Sequence, residues 1–112
     1  MKYFILFVLL SVSSPIWAGF VNNKTDWDGM SYSQKLGYVQ GAFDEHTLLS
    51  TQDSDEMTAL KEHRMNCVVD MRMSSAGMVE LIDNMYRNDV GIWQYSPNIA
   101  MIQGLYKMCG MP

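Results

Sequence analysis

CVVDMRMSSAGMVELIDNMYRNDVGIWQYSPNIAMIQGLYKMC, residues 67 to 109, opens and closes on the chain's only two cysteines and decides how the protein folds. Within it, Met78, Leu81, Ile82, Met85 and Tyr86 fall at the i, i+3, i+4, i+7, i+8 spacing of an amphipathic helix with one buried face. Ser74 and Ser75 offer side-chain oxygens to its first free amides, and Arg87, Asn88, Asp89 and Gly91 end it. Ser96 followed by Pro97 starts another helix by two independent signals, a capping hydroxyl and a proline at the first helical position. There Ile99, Ile102, Tyr106 and Cys109 form one stripe, and Met101, Leu105 and Met108 a second beside it. A helix apolar over so much of its girth is expected at the centre of a bundle. A Cys67–Cys109 bridge would close this half of the chain into a loop of about 43 residues, worth about 4 kcal/mol in the chain-entropy view.

Two more helices are expected upstream. Ser31 with Gln34 three residues later is a capping box, and Leu36, Val39, Phe43 and His46 follow at helical spacing, which predicts a helix over Tyr32 to Leu49. Gly37 and Gly41 lie inside it, each costing about 1 kcal/mol against alanine. Close approach of a neighbouring helix is the expected compensation, with a partner groove as the alternative. After the polar break Ser50 to Ser54, Asp53 with Glu56 repeats the capping logic. Met57, Leu60, Arg64, Cys67 and Met71 then keep a three-four spacing, with Arg64 at the edge of the stripe. Alternating β-branched and polar residues are missing throughout, so strands are not expected. The fold class is all-α: a small bundle of four or slightly more helices with one intramolecular disulfide.

Redox compartment and charge bound the partners. Residues 1–18, MKYFILFVLLSVSSPIWA, have a lone Lys2, an apolar run and small residues ending at Ala18, the layout of a cleavable signal peptide. Serines and Pro15 interrupt the run well short of the roughly 20 apolar residues a membrane span needs. Export would place the protein in an oxidising compartment, where a single pair of cysteines is expected to be bridged. Residues 19–30 read as an extended lead-in with Trp27 tucked against the helices, and 31–112 as a single helical domain. The formal net charge is −4, and loss of Lys2 with the leader makes it one unit more negative. Such a surface disfavours nucleic acid and anionic lipid, serves solubility, and allows a basic protein partner.

Little in the chain points to chemistry. His46 and His63 stand in no nucleophile motif, no glycine loop cradles phosphate, and Asp44, Glu45, Glu62 and Glu80 read as solvated helix carboxylates. No catalytic set or cofactor is expected. The repeated Glu-His pairs, with Met71, Met73 and Met78, could offer soft ligands to copper. The 11 methionines are read first as fillers of irregular gaps, with Met78, Met85, Met101 and Met108 on predicted buried stripes, and no metal site is expected. Asn88 to Tyr95, NDVGIWQY, is different: it carries Ile92, Trp93 and Tyr95 where a plain helical connection needs only polar residues. These aromatics either cap the core or anchor a partner, and Asn88, Asp89, Ile92, Trp93, Gln94 and Tyr95 are the candidate contact residues.

Trp27, Met30-Ser31, Gly37-Tyr38-Val39-x-Gly41, Cys67, Ser74, Ile82, Ala100, Leu105 and Cys109 together resemble the Rap/Tai family of immunity proteins. That resemblance covers most of the chain after the leader. It implies an all-α periplasmic domain with one disulfide, often a homodimer, that binds a cognate peptidoglycan amidase delivered by type VI secretion and blocks its cleft. The family's usual prolines near the two cysteines are absent here, where Val68-Val69 and Met108 stand, and the connection before the last helix is aromatic. The last of these departures falls on the expected partner-binding loop. An acid-stress periplasmic chaperone is the alternative, although in that class the first cysteine sits near the start of the first helix; a Met/His copper-binding protein is the third reading.

Overall fold

The computed structural model describes residues 21–112, so the expected signal peptide and the first two residues of the lead-in lie outside the described residues. The rest of the lead-in corrects the expectation of an extended segment, because it contains a short helix, α1 (Lys24–Asp28). The Asn23 side chain accepts from the Asp26 amide at 2.9 Å, and the Asp26 carboxylate accepts from the Asn22 amide at 3.0 Å. Reciprocal caps and one buried side chain, Trp27, form this turn without any apolar period.

The four longer helices begin where a serine hydroxyl can take up a free amide: α2 (Tyr32–Thr47), α3 (Asp55–Asp70), α4 (Ser75–Asn88) and α5 (Pro97–Cys109) start after Ser31, Ser54, Ser74 and Ser96. The capping box at Ser31 and Gln34 is present in both directions. On α3 the cap is Ser54; Asp53, the residue expected there, instead accepts from the Ser50 amide and from Lys61 Nζ. No strand occurs among the described residues, and no described helix is long and apolar enough to cross a membrane.

Packing is tightest between α4 and α5. Met78, Ile82, Met85 and Tyr86 are buried as the spacing predicts, with Leu81 packed at the edge of the core. On α5 the buried face is Pro97, Ala100, Met101, Gly104 and Leu105, whereas Ile99, Tyr106 and Met108 are exposed. The small residues turn inward because they let α4 approach: a Cβ on Gly104 would stand 2.8 Å from Leu81 Cγ. Gly104 is therefore the close-approach glycine, and Gly37 and Gly41, expected in that role, are exposed with nothing within 4 Å of a built Cβ.

α3 is held differently. Its buried residues are Arg64 and Val68, while Met57 and Met71 are exposed, so Arg64 lies within the inward face and not along its edge. α5 ends beside His63, whose Nε2 bonds the Cys109 carbonyl at 2.8 Å. Cys67 and Cys109 are bridged with their Cα atoms 5.9 Å apart. Arg64 donates to the Tyr106 hydroxyl at 2.9 Å and lies over its ring, and Lys61 Nζ donates to the Leu48 carbonyl at 2.8 Å.

Candidate interaction surface

The connection between α4 and α5 is a built turn. Asp89 caps a 3-10 turn, Val90–Ile92, by accepting from the Gly91 amide at 2.9 Å, and a Cβ on Gly91 would crowd that same carboxylate oxygen at 3.0 Å. Ile92 points into the core and is 4% exposed. Trp93 and Tyr95 stay outside at 42% and 50%, and Val90 beside them is 68% exposed.

Tyr86 fixes this geometry from α4. Its hydroxyl donates to the Tyr95 carbonyl at 2.6 Å, and its own carbonyl accepts from the Trp93 indole at 2.6 Å. Burial pushes the Tyr86 hydroxyl up from its ordinary value, with Tyr38, Asp28 and Asp26 adding to the shift, so it remains a donor. From the other side the Lys24 amide donates to the Trp93 carbonyl at 2.9 Å, and Lys24 Nζ sits 5.0 Å over the indole ring, which straps α1 across the loop. Trp27 holds α1 in turn, through an indole bond to Asp83 at 2.7 Å and an edge contact with Tyr38 at 5.7 Å.

The two readings of the loop thus divide among its residues. Ile92 belongs to the core and Asp89 to the turn. Asn88, Trp93, Gln94 and Tyr95 present themselves to solvent. Val90 was not singled out in the sequence because a lone valine after an Asp carries no positional signal.

Directly beyond Tyr95, a groove of about 470 Å³ runs between Ser96 and Asn98 at the start of α5 and the exposed face of α2. Gly37 and Gly41 form its floor, with Val21, Tyr38 and Glu45 among its walls. Burial raises the Tyr38 hydroxyl above its usual value, opposed by the Asn98 amide that donates to it at 3.0 Å and reinforced by Glu45. The glycine spacing was the available sign of this groove. Asn98 and Val21 were invisible because only the fold brings them to α2.

The histidines are engaged structurally, His46 with the Asn98 side chain and His63 with the Cys109 carbonyl. Among the described residues no group of three or more His, Cys, Asp and Glu side chains is placed to hold a metal ion. No family model, curated protein or solved structure matches the chain.

Proposed function

We propose that this chain is a periplasmic immunity-type protein that binds and sterically blocks a secreted peptidoglycan amidase, with Trp93 and Tyr95 as its anchors. The observation that carries this reading is a pair of half-exposed aromatic side chains on a short loop, held at Trp93 and at Tyr95 by Tyr86. A steric plug needs projecting aromatic area and a fixed shape, and this loop offers both. The resemblance to immunity proteins supplies the target class. The groove beyond Tyr95 widens the same surface and gives Gly37 and Gly41 a use that helix packing does not.

The test is titration of the purified protein with the amidase encoded in a neighbouring reading frame, following both binding and hydrolysis of peptidoglycan. Trp93→Ala is expected to weaken the complex by about 2 kcal/mol or more, as removal of a central aromatic anchor does. His63→Ala should still inhibit. Undiminished binding by Trp93→Ala would reassign the contact surface away from the loop.

A further inference from the structure

The geometry points to a second docking surface at the start of α3, and we infer that it accepts a cationic amphipathic polypeptide segment. Here Glu56, Met57, Leu60, Met111 and Pro112 line a groove of about 600 Å³ whose walls are mostly apolar. Met57 is 42% exposed and Met111 66% exposed. An isolated exposed apolar residue is ordinary, but a contiguous set around a groove marks an interaction site. Methionines are suited to such a wall because their unbranched thioethers reshape around different apolar side chains.

Charge selects the occupant. Asp55 and Glu56 have no ion-pair partner among the described residues. The cations nearby on α3 are already committed: Lys61 to Asp53 and the Leu48 carbonyl, Arg64 to Tyr106. Acidic residues in the first turn of a helix also complement its dipole, which accounts for their position on α3 but not for the apolar groove that Glu56 enters. A second copy docked symmetrically through this face would set its own Asp55 and Glu56 against these, and a lipid surface bearing anionic headgroups would be repelled in the same way. A segment that places an apolar side chain between Met57, Leu60 and Met111 and a Lys or Arg on Glu56 satisfies both halves of the surface.

The experiment follows the methyl NMR signals of the full chain on addition of a synthetic amphipathic Leu/Lys helical peptide, with a Leu/Glu peptide of the same pattern as control. The Leu/Lys peptide should shift Met57, Leu60 and Met111, and the Leu/Glu peptide should not. Glu56→Lys and Met57→Gln should each weaken binding about tenfold, whereas Trp93→Ala should leave it unchanged, since the loop is a separate surface. Equal binding of the two peptides, an unaltered affinity for Glu56→Lys, or shifts centred on Trp93 and Tyr95 would overturn the inference. So would concentration-dependent shifts of the same methyls without peptide, which would make a second copy the occupant.

Discussion

The α4–α5 pair and α3 are attached to the same core by different physics. α4 and α5 meet through buried apolar side chains, at a distance set by Gly104 against Leu81. α3 buries only Val68 and Arg64, and it is fastened by the Cys67–Cys109 bridge and by polar tethers from Lys61, His63 and Arg64. A helix without enough apolar surface to hold itself can still be placed by a cross-link, because the bridge acts on the unfolded chain and does not depend on local burial.

The largest test of that contrast is removal of the bridge. Cys109→Ser should lower stability by about 2–5 kcal/mol in denaturant unfolding. In hydrogen exchange the α3 amides should lose protection first while those of α4 and α5 keep it; uniform loss across the bundle would show that α3 is packed as firmly as its neighbours. Next, Gly104→Ala should destabilise by about 1–3 kcal/mol through overpacking against Leu81. The opposite sign is expected at the other glycines: Gly37→Ala and Gly41→Ala should each stabilise by up to about 1 kcal/mol, since a new Cβ meets nothing in the groove. A loss of amidase binding in those stabilised variants would separate a role in recognition from one in folding.

The smallest effect concerns acid. The Lys61 ammonium and the Ser50 amide hold Asp53 below the usual carboxylate range. A folded-state pKa below the unfolded value of about 3.9 means that the contribution is present above that pH and is lost as the pH falls through the folded value. Acid should therefore loosen the α2–α3 connection without melting α4 and α5. Protection factors at Ser50 and Gln52, taken relative to intrinsic exchange at the same pH, should fall below about pH 4 in the native protein, and Asp53→Asn should show lowered protection already at neutral pH.

Much of this arrangement is written locally. Ser31, Ser74 and Ser96 mark their helices because a cap is a contact between residues three apart, and the α4 stripe is readable because one broad apolar face leaves a single way to bury it. The α5 face was not readable, since Ile99 and Tyr106 outweigh Ala100 and Gly104 in any hydrophobic pattern while the neighbour's proximity favours the smaller pair. The same holds for the glycines: spacing alone does not distinguish Gly104, pressed on Leu81, from Gly37 and Gly41, which face a groove. At the candidate site, the aromatic content of NDVGIWQY showed that the loop was unusual, but the split between a buried Ile92 and an exposed Trp93 and Tyr95 is decided by the fit of the 3-10 turn onto the core.

The double grip of Tyr86 has a kinetic consequence. Its carbonyl and hydroxyl engage Trp93 and Tyr95 before any partner arrives, so the loop has already surrendered its conformational entropy during folding. Binding then has less freedom left to remove, and association should be governed by encounter and orientation and not by rearrangement of the loop.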